Sequence, residues 1–285
     1  MIQDIQPHKY DNQYRPCPPD RESYALYYEN HVALLKKQPD RIDFPRFKDL
    51  ERLNEDIYED AIYLFMIDEE RYYLVKNINR ERLSEYTMEN TEIFRFAEPQ
   101  YLAFAGITGY QLYNWYRTRK YCGCCGSRMQ HDVKERMMYC EKCHNMEFPK
   151  ICPAVIIGVT DGDRILMSKY AGRTYKKYAL LAGFTEIGET MEETVPREVM
   201  EEVGLKVKNI RYYKSQPWAF SDTIMVGFTA ELDGERTPFV LQEEEIAEAK
   251  WVHRKDILQN TNQASIGSDL IRYFIEQGTE ENQEN

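Results

Sequence analysis

The chain lacks an apolar run long enough to cross a bilayer. Its longest, residues 151–159, is nine residues, against the roughly 20 a membrane helix needs. It lacks a basic surplus too. Across 285 residues, 37 Lys and Arg stand against 48 Asp and Glu, a formal net charge of −11. That balance argues against nonspecific binding to long nucleic acid, which needs a basic surface. The opening MIQDIQPHKYDNQ has no apolar core behind a basic start, so a secretory signal is not expected. Internal repeats are missing. The ending GTEENQEN is the one low-complexity stretch and reads as a frayed acidic tail.

Seven cysteines without a secretory signal point to a reducing, cytoplasmic setting, where clustered Cys bind metal more often than they form disulfides. Four of them form two CxxC pairs, Cys122 with Cys125 and Cys140 with Cys143, separated by fourteen residues. Two thiolate knuckles at this separation predict a four-sulfur tetrahedral Zn2+ site, closed by protein ligands and therefore structural. The competing reading is a set of unrelated buried thiols. Cys124 lies inside the first knuckle and is expected to point outward as a bystander. Cys17 and Cys152 are isolated and read as ordinary packing residues. The 22 tyrosines are expected in cores and interfaces.

Residues 183–205 read GFTEIGETMEETVPREVMEEVGL. A helix is predicted over 191–203. Thr190 is a good N-cap, Glu193 completes a capping box, and Gly204 is a natural stop. At about 100° per residue, Glu198, Glu201 and Glu202 fall within about 60° of one line down a single face. Carboxylates so spaced repel one another, and a hard divalent cation removes the repulsion. Taken alone, the spacing reads equally well as a solvated acidic face. Arg197 is expected to hold Glu189 with its bidentate fork, tying the preceding loop to the helix. Pro196, past the first turn, is expected to bend or locally unwind the helix.

The same stretch resembles the signature of the Nudix hydrolases at Gly183, Glu189, Arg197, Glu198, Val199, Glu201, Glu202, Gly204 and Leu205. The family hydrolyses nucleoside diphosphates linked to another group. Ten residues on, Ser215-Gln216-Pro217-Trp218-Ala219-Phe220 resembles the SQPWPFPxS motif of the zinc-ribbon NADH pyrophosphatase subgroup. Ala219 and Ser221 stand where that motif has its later prolines, and Thr223 replaces its final serine.

The resemblance implies a homodimer that hydrolyses the diphosphate of NADH or NAD+ to nicotinamide mononucleotide and AMP, and that removes NAD caps from RNA 5′ ends. It implies Mg2+ or Mn2+ on Glu198, Glu201, Glu202 and Glu245, with Glu201 or Glu202 activating water. It also implies Phe148 and Phe184 around the nicotinamide ring, and Gln216, Trp218 and Thr223 in the substrate-binding segment, Trp218 chiefly as a packing residue. Outside the resemblance, either Phe would read as core, and residues 243–248 as the start of a solvated acidic helix. Two alternatives stay open. One is hydrolysis of another nucleoside diphosphate derivative such as ADP-ribose. The other is a catalytically inactive nucleotide sensor, although all the box carboxylates are present.

Three domains are expected: an α+β N-terminal domain (1–115), a zinc ribbon (116–150), and an α/β/α Nudix sandwich with a mixed sheet (151–285). Within them the pattern predicts an amphipathic stretch at 31–37, a hairpin at 61–75 turning at 68–70, and a helix at 108–119. Strands are expected at 154–160, 164–169, 209–215 and 223–232, and a last helix at 268–277.

Overall fold

The computed structural model describes residues 1–38, 41–52, 56–59, 61–79, 83–172, 177–257 and 264–281. They cluster into two compact units. One is residues 2–150 with 219–222; the other is 151–218 with 223–285 and Met1.

In the first unit the chain order is β1 (Tyr10–Asp11), β2 (Tyr24–Leu26), β3 (Tyr28–Glu29), β4 (Val32–Gln38), β5 (Arg41–Asp43), α1 (Phe47–Leu50), β6 (Ile62–Ile67), β7 (Glu70–Leu74), β8 (Thr87–Asn90) and α2 (Gln100–Thr118). One sheet runs β1-β6-β7-β2; a second runs β3-β4-β5, with β8 on β4. The 61–75 hairpin forms as expected, turning at Asp68 with φ 55°. The amphipathic 31–37 stretch lies largely in β4. The core is aromatic: Tyr24, Tyr28, Phe65 and Tyr72 bury in one cluster with Phe104, Ile107 and Tyr110 of α2.

The expected ribbon forms three short strands, β9 (Gln130–His131), β10 (Met138–Tyr139) and β11 (Met146–Glu147), in the order β11-β10-β9. Its two knuckles repeat one turn. Gly126 N–H donates to Cys122 O (2.9 Å) and His144 N–H to Cys140 O (2.8 Å), with φ of 70° and 61° at those two residues. The turns gather Cys122, Cys125, Cys140 and Cys143 with all four sulfurs within 4.8 Å of one another. The Cys122–Cys143 and Cys125–Cys140 sulfurs are each 3.5 Å apart. That is far beyond a disulfide of about 2.05 Å. It is close to the ~3.8 Å edge of a tetrahedron built on ~2.3 Å metal–sulfur bonds, so the four thiols fit a metal ion. Hydrogen bonds from the Ser127 side chain and backbone hold the Cys125 pKa down at about 6. Cys143 is pushed up to about 12: a bond from the Asn145 backbone favours its thiolate, but neighbouring Cys122 and Cys125 outweigh it. Cys124 is exposed. Cys122 and Cys140 bury in the same cluster as α2.

The second unit comprises β12 (Cys152–Asp161), β13 (Arg164–Tyr170), β14 (Leu181–Phe184), α3 (Met191–Val203), β15 (Val207–Trp218), β16 (Thr223–Leu232), β17 (Ile246–His253) and α4 (Ile266–Glu281). Its sheet runs β15-β16-β12-β13-β17 with β14 on β12, and is mixed because β12 and β16 are parallel. Alternation along β12 sends Val155, Ile157 and Val159 into the cluster with α3 and Ile156 into the cluster with α4. The result is an α/β/α sandwich. The four expected strands are all present, and 223–232 matches β16 at both ends. β17 corrects the helical reading of residues 246–248: it pairs with β13 from Arg164–His253 to Tyr170–Ile246. Among the described residues no helix is long and apolar enough to cross a membrane.

Opening a four-ligand metal site belongs with the large stability losses, ~2 kcal/mol and more, which for a chain this size lower Tm by roughly 5 °C. Cys140→Ser is expected to show that drop in calorimetry, and Cys124→Ser a shift of less than about 1 °C. A larger effect at Cys124 would overturn the ligand assignment.

Candidate active site

Thr190 starts α3 as expected. Its hydroxyl accepts from Glu193 N–H (3.1 Å), while the Glu193 carboxylate accepts from Thr190 N–H (2.9 Å). Gly204, at φ 72°, ends it. Helical assignment is unbroken through Pro196; no local unwinding accompanies it. Val195, Val199 and Val203, four residues apart, are fully buried against Val155, Ile157 and Leu181. Glu198 and Glu202 each follow a stripe valine by three positions. They therefore sit at the stripe's edge and are buried, at 8 % and 1 % exposure. Glu201 stays largely in solvent.

Arg197 organises this face. Its Nε and Nη2 donate to Glu189 (2.7 and 2.8 Å), and Nη2 also to Phe184 O (2.9 Å). Nη1 donates to Glu198 (2.8 Å) and Glu201 (2.9 Å). Glu189 further accepts from Thr194 Oγ1 (2.9 Å) and Glu186 N–H (3.1 Å). The Arg197 bonds, followed by the smaller Glu186 and Thr194 ones, draw its pKa down to about 2. Glu189 is a structural acid whose oxygens are already engaged.

Gly183 lies under the buried carboxylate. A Cβ there would stand 1.9 Å from the Glu198 carboxyl carbon, so any side chain would expel Glu198 from its seat. Burial raises the Glu198 pKa, Arg197 opposes the shift, and the charges of Glu201 and Glu245 add to it. Glu245 reaches this neighbourhood through the end of α3. The helix's last carbonyls, Glu202 O and Val203 O, accept from Gln242 N–H (3.2 Å) and Val240 N–H (3.1 Å). This hook satisfies orphan acceptors and brings Glu245 in behind it. No sequence periodicity announced it.

Among the described residues, the one set of Cys, His, Asp or Glu donors with all ligand atoms within 4.8 Å is the cysteine set. Glu198, Glu201, Glu202 and Glu245 do not draw that close, and Glu198 and Glu201 converge on Arg197 instead. The donor set nevertheless suits a hard divalent cation. It is all carboxylate, and Glu198, one of its two buried members, is disfavoured as an anion by burial and by like charges.

The structure separates the expected substrate residues. Phe148 and Phe184 are 54 % and 55 % exposed, which excludes the core-packing reading of either. Gln216 is fully buried. It donates to Ala264 O (2.8 Å) and accepts from Ile266 N–H (2.7 Å), so its amide holds the start of α4. Thr223 is buried and pairs with Trp218 where β15 and β16 meet. Residues 219–222 belong to the first unit, where Phe220 lies under Arg95 at 4.2 Å.

Residues 150–274 match the family model described as NUDIX domain. The Arg197-centred loop and helix lie within the matched stretch. The chain is 42 % identical over 145 residues to the NAD-capped RNA hydrolase NudC of Photorhabdus laumondii, covering 51 % of this chain and 56 % of that protein. It is 42 % identical over 149 residues to the protein of the same name from Escherichia coli, covering 52 % and 57 %. The chain thus spans just over half the length of these curated relatives. A solved NUDIX hydrolase from Nitrosomonas europaea is 26 % identical, with a TM-score of 0.47, over 56 % of this chain and 93 % of that one.

Glu189 yields a pH prediction with a definite sign. Its folded pKa lies below the ordinary value of 4.5, so its ionised form stabilises the fold above about pH 4.5. That contribution is lost as pH falls towards about 2. Urea unfolding of wild type and Glu189→Gln should therefore differ at pH 7 and converge as pH drops through this window. A difference that persists undiminished at pH 3 would contradict the ion-pair account.

Proposed function

We propose that the second unit hydrolyses the central diphosphate of NADH or NAD+ to nicotinamide mononucleotide and AMP, and acts on the same group at the 5′ end of NAD-capped RNA. The observation that carries this is the buried Glu198 seated on Gly183 beside Arg197, Glu201, Glu202 and Glu245, in a chain similar to proteins named as NAD-capped RNA hydrolases. Mg2+ or Mn2+ on Glu198, Glu201, Glu202 and Glu245 would neutralise diphosphate charge and lower the pKa of a bound water.

The chain's own residues do the rest. Arg197 fixes the directions of Glu198 and Glu201. Glu201 or Glu202 orients the attacking water and takes its proton. Phe184 and Phe148 are each exposed, and in this reading each offers a face to a nicotinamide ring. In this reading the four thiols hold one structural Zn2+ per chain, the active form is a homodimer, and the free thiols suit a reducing cytoplasm. The ADP-ribose reading retains a foothold in the burial of Gln216 and Thr223, since neither side chain is open to a nicotinamide ring.

Product analysis with NADH, NAD+, ADP-ribose and NAD-capped RNA, under Mg2+ and Mn2+, tests the reading directly. Glu202→Gln keeps shape but removes a charge, and turnover should fall at least about a hundredfold, as when a main charge-stabilising group is lost. Near-normal turnover would remove the proposed chemistry. Phe184→Ala or Phe148→Ala should lower kcat/KM for NADH roughly five- to hundredfold, the value of a ~1–3 kcal/mol stack, with far less effect on ADP-ribose. Equal losses on both substrates would favour the ADP-ribose reading.

A further inference from the structure

The second unit carries a reversal of sign on this acidic chain. Across the β13–β17 pair, Lys169 faces Glu248 and Lys250 faces Met167, so the two lysines are diagonal neighbours on one face of the sheet. Their ammonium groups converge on one ring, lying 4.2 Å (Lys169) and 3.8 Å (Lys250) from the centre of Tyr178. Paired backbone bonds between Ser168 and Ala179, both 2.8 Å, hold Tyr178 beside the strand. Glu248 fixes the arrangement by accepting from Lys169 Nζ (2.8 Å) and from the Tyr178 hydroxyl. Lys177, next to the ring, is exposed. Three lysines against one glutamate leave a local charge of +2 on a chain of −11.

This platform is joined to the candidate site. Ala171, just past β13, donates its N–H to Glu245 O at 2.7 Å. Glu245 contributes to the field at Glu198, and Glu248 and Lys250 follow along the same edge strand. At about 3.3 Å per strand residue, Lys250 stands roughly 16 Å of chain beyond Glu245. Tyr178, packed on one side against the cluster that includes Leu180 and Leu270, thus gathers two ammonium groups that suit the phosphates of a single-stranded polynucleotide. A strongly acidic protein that accepts a polyanion needs such a local reversal, because its overall field opposes approach.

We propose that Lys169, Tyr178 and Lys250 form a docking platform for the first nucleotides that follow the cap of an NAD-capped RNA. The platform gives the second unit a contact with capped RNA that free NAD(H) does not make. This rests on the diphosphatase reading above.

The test compares free NADH with a short NAD-capped RNA at several salt concentrations, using the full chain. Lys250→Gln is expected to lower kcat/KM for capped RNA about fivefold at low salt and to flatten its logarithmic salt dependence by roughly 0.7, the slope of one single-strand phosphate contact. Lys169→Gln with Lys250→Gln should double that flattening. Free NADH should change less than about twofold in both, which also certifies the fold. Lys208→Gln on β15 removes equal charge elsewhere and should leave the slope intact. Equal losses on NADH and capped RNA, a slope unmoved by Lys250→Gln, or the same flattening from Lys208→Gln would each overturn the platform. A wild type that cleaves NADH but not capped RNA overturns the platform alone. A wild type that cleaves neither overturns the diphosphatase reading as well.

Discussion

One guanidinium holds the candidate site together. Arg197 joins the loop acid Glu189, the strand carbonyl of Phe184 and the helix acids Glu198 and Glu201. Three separate pieces of chain are thereby fixed by a planar fork that a lysine's single ammonium cannot imitate. The same group is the only cation named among five carboxylates: Glu189, Glu198, Glu201, Glu202 and Glu245. Fully ionised, these six groups carry a formal charge of −4. A cluster so unbalanced, partly inside the fold, is a strong electrostatic sink for a divalent ion and weak as a purely structural device.

The valine stripe of α3 explains how the unit tolerates this. Burying a valine is worth about 1.5–3 kcal/mol, and Val195, Val199 and Val203 are all fully buried. The apolar edge pulls Glu198 and Glu202 under the sheet, while Gly183 makes room for a carboxylate where any side chain would collide. Stability and chemistry occupy neighbouring faces of one helix, spaced by the same 3.6-residue repeat.

Much of this is legible in the sequence. Thr190 and Gly204 marked both ends of α3 correctly, because caps act locally and their chemistry is written in adjacent residues. The sulfur set was legible because a knuckle is a local turn. What escaped was set by distant neighbours. Helix α2 begins at Gln100 rather than near 108; its early turns are masked in the sequence by Gly106, a poor helix former. Its place is dictated by Phe94, whose ring carbon would lie 2.5 Å from any Cβ there. The first half of strand β17, where Ala247, Glu248, Ala249 and Lys250 have little strand propensity, is held by β13. The Val240–Gln242 hook and the burial of Gln216 likewise depend on residues tens of positions away. Periodicity and capping signals do not encode such contacts.

The ribbon's sulfurs are members of a hydrophobic core. Cys122 and Cys140 lie in the cluster that includes Leu102, Ala105 and Trp115. A metal ion bound there would be part of how the first 150 residues become compact, and its supply would enter the abundance of the protein. In a cell short of that ion, newly made chains would hold a core with charged or protonated thiols at its edge. The unfolded fraction available to proteases would rise even though no residue of the candidate site had changed.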